Sequence, residues 1–149
     1  MNLAAATVGG VTGCVFCAIA AGDVPAPVVG STDGLVAFLD NRPVFKGHVL
    51  VAPRSHVVTL MDLPAPSVGP LFVFVRAVAA AVEGGLGAGG TFVAVNNKVS
   101  QSVPHLHVHV VPRTKGDGLR GFFWPRTKYA SDEEAATYAR RIAAAFPGD

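Results

Sequence analysis

The chain has 149 residues, 50% of them hydrophobic and 15% charged, with two cysteines, five histidines and a formal charge of +2. That length and apolar fraction suit one compact domain with a sizeable core, and so small a charge does not imply nonspecific nucleic-acid binding while leaving room for a locally positive site for an anionic small molecule. No apolar run reaches the length of a membrane span, because Gly, Pro and charged residues interrupt it.

Residues 1–13 are small and aperiodic and read as an extension ahead of a single domain over 14–149. The stretch VTGC ending at Cys14 looks like a lipoprotein cleavage site, but no Lys or Arg precedes it and its apolar segment is weak, so export is not expected. Residues 15–21 have the length of one or two helical turns, and Pro25 and Pro27 mark a turn-rich stretch after them. Residues 35–40 and 48–53 are short and rich in Val, Leu and Phe; with Asn41, Arg42, Pro43 and Gly47 between them they read as an antiparallel hairpin.

Over 67–83 the apolar residues Val68, Leu71, Phe72, Val75, Val78, Ala79 and Val82 recur at spacings of three and four, which predicts the main helix. The run GGLGAGG at 84–90 lacks the Gly-Lys-Ser/Thr ending of a phosphate loop and reads as a helix C-terminal turn. Residues 91–95 and 105–111 form two more strands, joined by the polar loop NNKVSQSVP. Ser131 followed by Glu134 resembles a capping box that opens a helix through about residue 145. This order of strands, helix, strands and helix predicts an α+β fold with an antiparallel sheet.

All five histidines fall into two clusters, His48 with His56 and then His105, His107 and His109 at i, i+2, i+4 spacing. Alternation with Leu106, Val108 and Val110 has the period of a strand, so the three imidazoles are expected on one face, roughly 6.6 Å apart, around one small anion such as a phosphate. Histidine suits that task because it donates a hydrogen bond, accepts a proton or attacks as a nucleophile near neutral pH. The same spacing also suits a tris-histidine metal site with an open position. Cys14 and Cys17 form a CxxC that is redox-active, zinc-binding or a pair of ordinary buried thiols, and paired thiols otherwise point to a reducing cytoplasm.

The tract HLHVHVV at 105–111 resembles the signature of the histidine triad, or HIT, nucleotide hydrolases and transferases, and FLDNRPVFKGHVLVAPRSH at 38–56 resembles that family's other block. The resemblance runs from about Cys14 to Arg113. It implies an antiparallel sheet of about five strands with one long helix and a C-terminal helix, and a homodimer. It also implies that His107 attacks the α-phosphate of a nucleotide, giving a nucleotidyl-histidine that water resolves to the nucleoside monophosphate. An attacking imidazole nitrogen must be unprotonated, so a backbone carbonyl is expected to hold the other nitrogen of His107. The anionic transition state then needs fixed donors, for which His109, His48, Ser102 and the amides of 100–102 are candidates. By the same resemblance Asp40 binds the ribose hydroxyls, and Asn96 and Gln101 belong to the phosphate-binding set, although the loop after Asn96 and Asn97 is shorter than the family's commonest form.

In a subset of the superfamily, the positions of Cys14, Cys17, His56 and His105 hold a structural zinc. Such a closed Cys₂His₂ site would brace the N-terminal segment and not activate water. The tail mixes Arg113, Lys115, Arg120, Arg126 and Lys128 with Phe122, Phe123, Trp124 and Tyr129. That mixture suits a polyphosphate, stacked bases or single-stranded nucleic acid, and equally a dimer-packing or core segment. Its PRxxGD portion resembles the fragile-histidine-triad branch, which cleaves dinucleoside polyphosphates. The resemblance therefore implies a cytoplasmic hydrolase of dinucleoside polyphosphates or related adenylyl compounds, with Mg2+ or Mn2+ arriving on the polyphosphate. An adenylyl phosphoramidase, a phosphorylase and a nucleotide-binding regulatory protein are the alternatives.

Overall fold

The computed structural model describes residues 13–119 and 126–147. All but the last residue of the N-terminal extension, together with Arg120, Phe122, Phe123 and Trp124 of the tail, lie outside the described residues. The chain divides between Lys115 and Gly116 into two compact units.

The first unit runs α1 (Val15–Ala20), β1 (Val28–Ser31), β2 (Leu35–Leu39), β3 (Val49–Pro53), a 3₁₀ turn (Leu60–Asp62), α2 (Ala65–Leu86), β4 (Gly90–Val95) and β5 (Val108–Arg113). Its strands form one sheet in the order β1-β2-β3-β5-β4, with every neighbouring pair antiparallel. The hairpin expected from the sequence is β2 with β3, in register from Leu35 opposite Pro53 to Leu39 opposite Val49.

Side-chain parity decides what each face carries. Leu35, Ala37, Val49, Val51, Val108 and Val110 pack under Leu71, Val75, Val78 and Val82 of α2. Val36, Phe38, Leu50 and Ala52 point the other way and pack with Phe16 of α1. Covered on both faces, β2 and β3 are continuous apolar runs without a polar side. The same parity sends His109 to the α1 face, where it stands opposite Leu50.

Helix α2 extends the predicted 67–83 at both ends: Pro66 sits in its first turn, where a missing N–H costs nothing, and Gly84 and Gly85 continue it to Leu86. Gly87 closes it at φ 62, a left-handed conformation that glycine adopts without a Cβ penalty. The sequence reading is corrected in one respect, since α2, with only Arg76 and Glu83 charged, is long and apolar enough to cross a membrane by length and composition. Here its buried residues are those that face the sheet.

Two further differences have local causes. Strand β1 was not read from the sequence because it is a four-residue edge strand, with Val28 and Val29 exposed and a register shift between Val28 and Gly30. Strand β5 begins at Val108 and not at His105, because the pairings with β3 and with β4 both end there. Further along β3, Pro53 has no N–H to offer, and the chain instead turns so that Leu106 donates to the Val57 carbonyl at 2.7 Å.

In the second unit α3 (Asp132–Ala144) opens as expected at Ser131, whose Oγ accepts the Glu134 N–H at 3.1 Å. The Glu134 carboxylate reaches back to the Ala130 N–H, one residue before the cap. The described architecture is the expected α+β arrangement of an antiparallel sheet, one long helix and a C-terminal helix.

Candidate active site

On the α1 face lies a cleft of about 490 Å³. Phe16, Ile19, Phe38 and Leu50 give it an apolar wall, and Asp40, Ser102, His107 and His109 give it polar groups. Sequence separation is bridged by the sheet: Asp40 follows β2, while His109 belongs to β5.

His107 is 4% exposed, and its Nδ1 donates to the His105 carbonyl at 2.7 Å. A carbonyl oxygen only accepts, so Nδ1 bears a proton, and in the neutral ring Nε2 carries the bare lone pair. This is the acceptor expected behind His107. The ring is fixed further by Phe16, which meets it edge-on with centroids 4.9 Å apart.

A second tautomer chain starts from another backbone group. The Val44 N–H donates to His48 Nδ1 at 3.1 Å, so the His48 proton must be on Nε2. His48 Nε2 then donates to His109 Nδ1 at 3.0 Å, which leaves the His109 proton on Nε2. His109 is thus a hydrogen-bond donor beside a neighbour whose Nε2 is an acceptor, with the two ring centroids 4.9 Å apart. Both nitrogens of His48 are thus occupied, where a direct phosphate donor was expected, and its ring stands behind His109.

Burial favours the neutral form of His48 and of His109. It lowers the His48 pKa, against the raising effect of nearby Asp40. For His109 burial is again the main cause, followed by His107 and His48, and its pKa falls to about 4. The 3.7 Å approach of Asp40 Oδ2 to His48 Nδ1 is therefore not an ion pair, since that nitrogen is already an acceptor. Asp40 Oδ1 accepts the Arg42 N–H at 2.8 Å in a turn, and Oδ2 is directed to the same half-buried corner.

The loop before the triad holds itself in place. Asn96 Nδ2 donates to the Ser100 carbonyl at 3.3 Å, Gln101 Oε1 accepts the Lys98 N–H at 2.9 Å, and Gln101 Nε2 donates to the Val58 carbonyl at 2.6 Å. These bonds sustain left-handed backbone at Lys98 (φ 71) and Ser100 (φ 59), which costs of order 1 kcal/mol each for residues other than glycine. Asn96 and Gln101 do not line the cleft; they shape the loop that brings Ser102 to it.

His105 is corrected from the shared face of the triad. It is fully buried, and its Nε2 donates to the Pro53 carbonyl at 2.7 Å. Its Nδ1 is therefore bare, and lies 3.4 Å from Cys14 Sγ and 3.5 Å from Cys17 Sγ. Cys17 Sγ also lies 3.3 Å from His56 Nδ1, and one ligand atom from each of the four residues falls within 4.8 Å of all the others. A tetrahedral zinc with bonds of about 2.3 Å to sulfur and 2.0–2.1 Å to nitrogen has S···N edges of about 3.5 Å, so this donor set fits the ion. The carbonyl behind His105 is the kind of outer partner that orients a ligating imidazole. Asp40, His48 and His109 also approach within 4.8 Å, but both ring nitrogens of His48 are already held, by the Val44 amide and by His109. The tris-histidine centre is not assembled, because the three rings are divided between two sites.

Sequence reasoning missed Phe16, the Val44 amide and the Pro53 carbonyl. The position of Phe16 between two cysteines was the one visible signal; backbone groups carry none.

The HIT domain family model matches residues 21–116. The adenosine 5'-monophosphoramidase hnt1 of Schizosaccharomyces pombe is 32% identical over 122 residues, covering 80% of this chain and 89% of that protein. The asymmetrical bis(5'-nucleosyl)-tetraphosphatase of the same yeast is 39% identical over 83 residues, covering 54% of this chain and 46% of that protein. A zinc-bound histidine triad family protein from Mycobacterium smegmatis is similar in structure, with a TM-score of 0.69 and 36% identity, covering 89% of this chain and 97% of that one.

Proposed function

This chain belongs to the HIT domain family, and on that premise we propose that it is a nucleotide hydrolase that cleaves dinucleoside polyphosphates or related adenylyl compounds at the α-phosphate. The observation that carries the reading is the pair of opposed tautomers in one cleft: a bare Nε2 on His107 beside an N–H on His109.

In the first step His107 Nε2 attacks the α-phosphorus, forming the N–P bond as the P–O bond to the polyphosphate leaving group breaks. The His109 Nε2–H and the Ser102 hydroxyl donate to oxygens on which charge accumulates. Asp40 accepts from the ribose hydroxyls, and the wall of Phe16, Ile19, Phe38 and Leu50 receives the base. Water then attacks the same phosphorus, breaks the N–P bond and releases the nucleoside monophosphate with His107 regenerated.

Zinc would be held by Cys14, Cys17, His56 and His105, where it supplies cross-linking of α1 to the sheet and no Lewis-acid chemistry in the cleft. Mg2+ or Mn2+ would enter only with the polyphosphate. The two thiols, neither of them in a disulfide, support a cytoplasmic setting, and the edge position of β4 with Val93 exposed supports a homodimer.

A phosphoramidase is the second reading, favoured by the longer match to the yeast phosphoramidase. Chromatographic products from diadenosine tetraphosphate, with and without phosphate, separate the cases. AMP plus ATP, absent in His107→Asn, supports the hydrolase. ADP plus ATP only with phosphate indicates a phosphorylase. No product, alongside cleavage of an adenylyl phosphoramidate, indicates the phosphoramidase; nucleotide binding without any turnover indicates the regulator.

A further inference from the structure

Helix α1 belongs to both centres. Cys14 caps it and Cys17 lies within it, so both sulfurs of the metal-ligand set ride on this six-residue helix. Between them, Phe16 packs edge-on against His105 at 5.9 Å and against His107 at 4.9 Å. Val15, Phe16 and Ile19 also form part of the cleft wall. The other link is His105 itself, whose ring faces the sulfurs while its carbonyl holds His107.

The contact between the sulfurs and His105 depends on their oxidation state. With Nε2 protonated against the Pro53 carbonyl, His105 Nδ1 is an acceptor only. At 3.4 and 3.5 Å it is held to the two sulfurs either by an S–H donor or by a cation bound between thiolates and imidazoles. A disulfide offers neither an S–H nor an anionic sulfur. The two sulfurs lie within 4.8 Å of each other, three residues apart in sequence.

We propose that Cys14 and Cys17 form a redox latch, which in the reduced state holds α1 and Phe16 against His107 and as a disulfide releases that wall and weakens nucleotide binding. The proposal rests on the nucleotide-cleft reading above. Hydrogen peroxide serves as the oxidant. One thiolate attacks a peroxide oxygen, the O–O bond breaks, and hydroxide leaves from a sulfenic acid. The second thiolate attacks the sulfenic sulfur, the S–S bond forms and hydroxide departs. The sulfurs together give up one electron pair to the peroxide, which becomes water on taking up protons. Phe16 is a positioning residue in this scheme and not a catalytic one.

The test uses the full chain loaded with zinc and treated with peroxide. Zinc release is followed with a chromogenic chelator, thiols by titration, the fold by circular dichroism, AMP affinity by calorimetry and His107 exposure by diethyl pyrocarbonate labelling with mass mapping. The expected result is loss of both thiols and of zinc, with AMP affinity weakened by about tenfold and His107 labelling accelerated by a similar factor, both reversed by dithiothreitol and zinc. Intact thiols under peroxide, or a disulfide with unchanged affinity and labelling, overturns the latch. Failure of the reduced protein to bind AMP overturns the nucleotide reading instead, while His107 labelling still reports on the latch. Should oxidation unfold the chain, Phe16→Leu, which keeps both thiols, must accelerate His107 labelling by itself for the latch to stand.

Discussion

The carbonyl oxygen of His105 accepts a 2.7 Å hydrogen bond from Nδ1 of His107, while the His105 ring turns away to face two cysteine sulfurs. One residue thereby serves two centres, with its backbone in one and its side chain in the other. The first prediction follows from the tautomer this bond imposes. His107→Asn keeps a group able to bond the carbonyl but has no ring nitrogen to attack, so turnover should fall by at least about a thousandfold with the melting temperature nearly unchanged. Single-turnover assays with labelled nucleotide should also show loss of the covalent protein adduct; turnover near wild type would remove His107 from the role.

His48 touches the cleft only through His109, which makes its contribution separable. In His48→Ala nothing fixes the His109 proton on Nε2, and the Val44 N–H loses its acceptor. We expect kcat to fall by about 10- to 100-fold with KM changed much less, because a donor aimed at developing charge is lost. A change confined to KM would contradict this arrangement.

The buried rings make stability depend on pH. The His109 pKa falls from the ordinary 6.5 to about 4 in the folded chain. The unfolded chain therefore binds the extra proton first, and stability present above pH 6.5 is lost as the pH falls toward about 4. Burial of His48 acts in the same direction. Denaturant midpoints between pH 7 and 4 should decline, and His109→Gln should flatten the decline; an unchanged slope in that variant would assign the effect elsewhere.

Metal analysis should find one zinc per chain, retained in His107→Asn and lost in Cys14→Ala. Removal by a strong chelator should lower the melting temperature by about 10 °C, restored by zinc, because a closed Cys₂His₂ site binds the folded state alone. Zinc that survives Cys14→Ala would disprove the ligand set.

Gly47 precedes His48 at φ +97, and a Cβ added there would overlap Leu86 Cδ1 at the end of α2. Gly47→Ala combines an unfavourable left-handed backbone with overpacking, and should cost about 1–3 kcal/mol in urea unfolding. A neutral outcome would mean that the turn leading to His48 yields readily.

Much of this molecule was legible in the chain. The 3.6-residue repeat over 67–83 located α2, the apolar runs of β2 and β3 announced a buried hairpin, and Ser131 with Glu134 marked the start of α3. The HIT signature came from local residue order, and the resemblance it carries implied the four residues that meet as a metal-ligand set. Such features are local, because strand alternation, capping and motif spacing are properties of neighbours in sequence.

Tertiary structure decided the rest. A strict i, i+2, i+4 pattern promised three imidazoles on one face, yet β5 loses both strand partners before Val108, and His105 turns into a different centre. Asn96 and Gln101 had donors suited to phosphate, but the Ser100 and Val58 carbonyls claim their side-chain N–H groups for the loop. Which nitrogen of each histidine bears its proton was fixed by the Val44 amide and the Pro53 and His105 carbonyls. Every residue but proline carries the same backbone donor and acceptor, so sequence contains no record of which of them the fold will aim at a side chain.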